Sequence, residues 1–413
     1  MAGKFPLWLR AAAVILIGGA ISGCFSNKIV AGRRQFYAGN YAAAGDALSK
    51  IKDKGGKDHI LALLEYGASE QAAGNYKEST AALLDANKLI EAEVVHLGQQ
   101  AGSLVTNKMI TTYRPESFET VLLHTYLAMD YMMVDEWSDA RVEAKQALGV
   151  LDSLDKEINA QPFARYVCGL AFDVMGDQDD AYIEYSKAAE AAPEFLSVYY
   201  DLHRLASAKG MGQEARTWAR EIEQRGGIVP KTAAPPNLIV FVGAGRSPIK
   251  KEINIVVPPN FNRFVVPDYV SSRSLAHHAV LSIGDRNTAP SYMITDLDPL
   301  AEKALKKRIA KEIAMETARV AAKEVIAEQI SKQNGLLGLV VRVAFFASEA
   351  ADVRSWQTLP RYFGVIADTL PPGEHEAKVQ FYTQDGSPIG PAQFKKVTIT
   401  EGRRTVLIAR SVF

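Results

Sequence analysis

The side chain with the clearest chemistry in these 413 residues is the thiol of Cys24. It stands behind Ile21-Ser22-Gly23, an aliphatic residue and two small ones, which is the arrangement of a bacterial lipobox. Small side chains let a peptidase approach the backbone, and the cysteine supplies the nucleophile that forms a stable thioether with diacylglycerol. Upstream, Lys4 and Arg10 flank the start of an apolar stretch, Ala11 to Ala20. That stretch is shorter than the ~20 residues a membrane-spanning helix needs and has the layout of an export signal. The mature chain is therefore expected to begin at Cys24 and to carry two or three acyl chains, palmitate among them. Each buried methylene contributes ~0.8 kcal/mol, so such an anchor holds permanently. Phe25 follows in place of aspartate, and the expected location is the outer membrane, facing the periplasm.

Other residues with chemical potential lead nowhere specific. Phe241-Val242-Gly243-Ala244-Gly245 opens like a dinucleotide loop, but Pro248 occupies the third glycine position and a strand follows where a helix N-terminus should be. His277 and His278 are adjacent, and adjacent side chains on a strand point to opposite faces, so a shared metal is not expected. Cys168 sits among apolar neighbours on a helical pattern and reads as core. No G-x-S-x-G nucleophile turn occurs. A carboxylate pair can assemble from anywhere in a fold, so a glycosidase-type site stays open without positive support. The 47 basic residues balance 47 acidic ones, which argues against a nucleic-acid binder. The expectation is a chain that is not an enzyme, with no cofactor and no metal.

What must position these residues is, first, a repeat array. Gly39-Asn40-Tyr41 recurs as Gly74-Asn75-Tyr76, and Gly176-Asp177 with Ala181 recurs as Gly210-Met211 with Ala215, at separations close to the ~34-residue tetratricopeptide period. Between them lies a further unit with Trp137 in the tyrosine position and Ala140 after it. Each unit reads as two amphipathic helices, with small residues such as Gly169 and Ala181 at their close approach. One such hairpin cannot bury its apolar face alone, so neighbours must stack into a superhelix with a concave surface. The interval Glu91 to Glu116 breaks the period and reads as a longer helix or an insertion reaching across that surface.

Gly226-Gly227 ends the helical pattern and Lys231 to Pro236 forms a connector. Beyond it the apolar period changes to two, in Leu238 to Val242, Ile253 to Val257, Phe264 to Val266, Glu376 to Tyr382, Phe394 to Thr400 and Thr405 to Ala409. These strands resemble a small immunoglobulin-like or transthyretin-like sandwich. Between the two strand groups, Asp298 to Asn334 is an amphipathic helix, and Leu336 to Phe346 is an apolar run too short to span a membrane. The fold class is thus α+β multidomain: an all-α tetratricopeptide-like superhelix followed by a β-sandwich-like domain with a helical insertion. The boundaries are 1–23 for the signal, 24–228 for the repeats, 229–236 for the linker and 237–413 for the β-rich domain, with the insertion at about 298–350.

The chain resembles a family of uncharacterised bacterial tetratricopeptide-containing lipoproteins nearly end to end. The likeness rests on Cys24, Asn107 with Tyr113, Phe118-Glu119, Tyr126 to Met129, Asp139 to Ala144, Leu238 to Gly245 and Leu370 to Gly373. Asp352-Val353-Arg354-Ser355-Trp356-Gln357-Thr358-Leu359-Pro360 is its most specific part. The resemblance implies an envelope protein and assigns no activity. The expected function is a lipid-anchored periplasmic scaffold that holds a protein or peptide partner in the groove, with no nucleic acid involved. Candidate contacts are Asn107, Tyr113, Tyr126, Arg141, Glu143, Arg354 and Trp356. Arg141 and Glu143 are also expected to form an ion pair within the repeat. The alternative is a peptidoglycan- or carbohydrate-binding or processing protein that uses the interface between the domains.

Overall fold

The computed structural model describes residues 23–99, 112–230, 234–257, 262–288, 290–309, 332 and 351–413. Its first half consists of antiparallel helix pairs: α1 (Gly23–Tyr37) with α2 (Tyr41–Lys52), α3 (His59–Ala73) with α4 (Tyr76–Gln99), and α5 (Ser117–Met133) with α6 (Trp137–Asp152). After the short α7 (Lys156–Asn159) come α8 (Pro162–Met175) with α9 (Gln178–Ala191), then α10 (Leu196–Ala208) with α11 (Gly212–Gln224). Within pairs, a glycine on the first helix receives a large side chain from the second. Gly32 lies under Leu48, Gly67 under Leu83 and Gly169 under Tyr185, where an added Cβ would fall 2.7 Å from the tyrosine ring.

The turn inside each pair needs one residue with left-handed backbone. Gly39, Gly74, Gly176 and Gly210 fill that place at φ between 68° and 91°, and the α5–α6 turn fills it with Asp135 at φ 62°. A side chain at positive φ is strained, though aspartate tolerates it better than most residues. The irregular interval is partly a long helix, since α4 runs 24 residues. Asn107 lies outside the described residues, and Tyr113 brings the chain back into the core, 1% exposed.

The second half is built on two four-stranded sheets. The first has the order β10-β1-β7-β6, from β1 (Leu238–Ala244), β6 (Tyr292–Asp296), β7 (Tyr362–Asp368) and β10 (Thr405–Ser411). The second has the order β5-β4-β8-β9, from β4 (His278–Ile283), β5 (Arg286–Asn287), β8 (Gly373–Tyr382) and β9 (Pro388–Ile399). A separate hairpin joins β2 (Ile249–Val257) and β3 (Asn262–Val270). Leu238, Val240 and Val242 of β1 face Leu281, Val379, Phe381 and Val397 across the sandwich core. An immunoglobulin-like pair of antiparallel sheets is not what forms, because β1 pairs with β10 in parallel. Residues 297–309 are helical and bury Leu297, Leu300, Ala301 and Leu305. Most of the expected helix beyond them, and Leu336 to Phe346, lie outside the described residues. No helix among the described residues is long and apolar enough to cross a membrane.

Alternation along β1 decides how the halves meet. Odd-numbered Ile239 and Phe241 point away from the sandwich and join a core that also contains Phe163, Tyr126, Trp356 and Phe363. Phe163 packs tilted against Phe363 at 4.8 Å and edge-to-face against Phe241 at 5.7 Å, and Phe195 meets Tyr292 at 6.1 Å. The first sheet thus has two buried faces, which is why β1 reads as a continuous apolar run.

Candidate functional site

The face that α1, α3 and α5 turn toward the β domain is occupied by the chain itself. Residues 352–360 form a strap without regular secondary structure that lies across α1, α3 and α5 just before β7. Its backbone is read as a bound peptide would be. Glu119 accepts the Trp356 N–H at 2.9 Å, Glu65 accepts the Gln357 N–H at 2.9 Å, Arg33 donates to the Ser355 carbonyl at 2.8 Å and Tyr37 donates to the Gln357 carbonyl at 2.7 Å. From the β domain, Arg410 donates to the carbonyls of Thr358 and Leu359, both at 3.3 Å.

The carboxylates that do this are themselves held. Glu65 receives Arg33 in two hydrogen bonds, from Nε at 2.8 Å and Nη2 at 2.5 Å. Glu119, near the start of α5, reaches back to the Glu116 N–H at 2.7 Å and takes the Tyr113 hydroxyl at 2.6 Å. Burial pushes the Glu119 carboxyl up, with Lys250 and these donors pulling the other way. Burial, with Glu65 nearby, raises the Tyr37 hydroxyl to about 12, so it stays protonated and donating. Lys250 pairs with Glu116 at 2.5 Å and ties the β2–β3 hairpin to the start of α5.

Six of the seven expected partner contacts are engaged within the chain itself. Trp356 is 1% exposed, its ring tilted against Tyr126 at 5.5 Å and its indole N–H on Thr358 Oγ1 at 3.0 Å. Arg354 donates to the Lys57 carbonyl at 2.9 Å, to Asp58 at 2.8 Å and to Asp352 at 2.7 Å, over the Tyr113 ring. Tyr113, Tyr126 and Trp356 are buried and reach no outside partner in this arrangement. Arg141 and Glu143 do not pair with each other. Arg141 binds Asp177 of the next helix pair at 3.1 Å, and Glu143 turns inward to His124 Nδ1 at 2.7 Å. On one helix they are too close in sequence to face each other, since contacts run to positions three and four away. Cys24 opens α1 and its side chain lies outside the described residues.

The chemical candidates keep to their places. Cys168 is buried and its thiol is pushed up by desolvation. His277 and His278 approach each other, Nδ1 to Nδ1 at 3.4 Å, because His277 precedes the strand and escapes its alternation. Among the described residues no group of three or more histidines, cysteines or carboxylates could hold a metal.

Two open surfaces escaped the reading of the sequence. One is a groove of about 450 Å³ between the α1–α2 turn and the edge strand β9, where Phe394 is 61% and Phe413 40% exposed beside Tyr41 and Pro391. The other is a cleft of about 460 Å³ between Asp135, Trp137, Asp173 and Arg204 of the repeats and Arg403 and Arg404 of the β9–β10 turn. Asp135 was findable, since it stands in register with Gly39, Gly74 and Gly176. Nothing in the local sequence points from Arg404 to Asp173.

No family model matches the chain, and no curated protein matches it. Among solved structures it is similar to a crystal structure of MamA at 18% identity, covering 47% of this chain and 94% of that one, with a TM-score of 0.36. A second MamA crystal structure gives 18% identity over 50% of this chain and 97% of that one, at TM-score 0.36. MamA 41-end from Desulfovibrio magneticus RS-1 gives 16% identity over 48% and 92%, at 0.34.

Proposed function

We propose that this protein is a non-enzymatic scaffold of the bacterial cell envelope, held at the outer membrane by lipid on Cys24, that presents a preformed two-domain body to a protein partner. The observation that carries the reading is the strap. The face that α1, α3 and α5 turn toward the β domain, where a repeat array would take a peptide, is filled by residues 352–360, and the contacts they make fix the two halves as one surface. A partner then meets the outside. The groove at Phe394 and Phe413 offers apolar surface next to the exposed edge of β9, a place where an extended segment of another protein can add to the sheet.

A photo-cross-linking residue at Phe394, compared with one at Ile228, which is 85% exposed on the linker side, tests this in intact envelopes. The expected result is one defined protein adduct from position 394, none from 228, and loss of the adduct in Cys24→Ala. Equal, diffuse labelling from both positions would overturn the scaffold reading.

A further inference from the structure

The cleft between the repeats and the β9–β10 turn is built in a way that folding alone does not require. At its rim, Asp135 keeps a positive φ where sibling turns use glycine. Its carboxylate does two things there: Oδ1 accepts the Trp137 indole N–H at 2.8 Å, and Oδ2 accepts Arg403 at 2.8 Å. The pair fixes the half-buried indole beside the cleft. At its floor, Asp173 Oδ2 receives Arg204 at 2.5 Å and Arg404 at 2.6 Å, and Asp201 receives Arg204 at 3.2 Å. Arg404 is nine-tenths buried, yet its Nη1 has no hydrogen-bond partner among the described residues. The same holds for Arg204 Nε and Asp201 Oδ2. Buried donors and acceptors are normally satisfied, and these atoms, almost without accessible surface, lie beneath the floor where an ordered water would satisfy them.

Charge selects the ligand class. Three arginines and two aspartates line the cleft, and Asp201 beneath its floor brings the charges to balance. What it offers is a half-buried indole flanked by guanidinium donors and carboxylate acceptors. A pyranose ring matches that surface, with C–H bonds that pack on an indole and hydroxyls that act as donor and acceptor at once. The volume falls within the ~300–1,000 Å³ of small-molecule sites. We infer that this cleft is a binding site for a neutral oligosaccharide, with Trp137 as the stacking platform and Asp135, Arg403 and Arg404 as its polar contacts. This narrows the interdomain carbohydrate reading to one place and does not depend on the scaffold role, whose groove lies at Phe394.

Calorimetric titration of the full mature chain with a β-linked N-acetylglucosamine tetramer, with cellotetraose and with inorganic phosphate tests it. The expected result is saturable binding of at least one sugar and none of phosphate. Trp137→Ala should weaken that binding tenfold or more, while Trp137→Phe, which keeps a ring, should lose less. Circular dichroism of each variant establishes that it is folded. Absence of binding by both sugars, binding that persists in folded Trp137→Ala, or binding of phosphate instead would overturn the proposal.

Discussion

At the scale of single residues, the buried carboxylates differ in how many donors the fold turns toward them. Glu65 Oε1 takes Arg33 and the Gln357 N–H, and Glu119 takes three donors, whereas Asp130 has Gln71 Nε2 on Oδ1 at 2.9 Å and faces no cation among the described residues. Burial lifts its pKa to about 8. The ordinary value of an unfolded aspartate is ~3.9, so between these limits unfolding releases a proton, and stability falls as pH rises from about 4 to 8. Below that window the penalty vanishes, because both states hold the proton. Asp130→Asn should flatten this dependence and raise stability at pH 8 by about 1–3 kcal/mol, given 1.36 kcal/mol per pKa unit and partial relaxation of the site. Urea unfolding of both proteins at pH 5 and pH 8 measures it, and an unchanged pH slope in the variant would remove Asp130 as the cause. The sequence could show that Glu119 and Trp356 matter but not how. Whether a carboxylate binds a ligand or the chain's own backbone depends on what lies opposite, and Trp356 is 237 positions away from Glu119.

At the scale of elements, the helical half was legible because its rules are local. The Gly-Asn-Tyr spacing and the small residues at the seams follow from how two helices approach, and Gly32, Gly67 and Gly169 occupy those seams. Gly169→Ala should destabilise the protein by about 1–3 kcal/mol, since a methyl there must displace the fully buried Tyr185 ring. Gly149, with nothing near its position, is the matched control. Chemical denaturation of the two alanine variants compares them, and equal midpoints would show that the seam has slack. The strands were legible singly for the same reason, through period two and turn residues. Their pairing was not. The parallel join of β1 to β10 links residues near the start and the end of the domain, and no short-range pattern encodes it. Asp352 to Pro360 stood out as a motif while its role stayed hidden, because a strap is defined by the surface it crosses.

At the scale of the whole molecule, one apolar core runs from the helices through the first sheet, with Phe163, Trp356, Phe241 and Phe363 on the dividing line. Linked domains with a small polar interface unfold separately, but a shared core couples them. The protein is expected to lose helical and aromatic circular dichroism in a single coincident transition. Two separated transitions would mean that the strap and the shared core couple the halves only weakly. The ends of the described chain add a further constraint. Val412 packs with Phe36 and Ala44, Tyr41 donates to the Arg410 carbonyl at 3.1 Å, and Arg246 holds the Val412 carbonyl at 2.9 Å over the Tyr37 ring. The first helix pair is thus closed by residues from far along the sequence, Arg410 lying 369 positions from Tyr41. Its apolar side is complete only once β10 and the two residues after it have docked, so they act as a clasp on the first repeat.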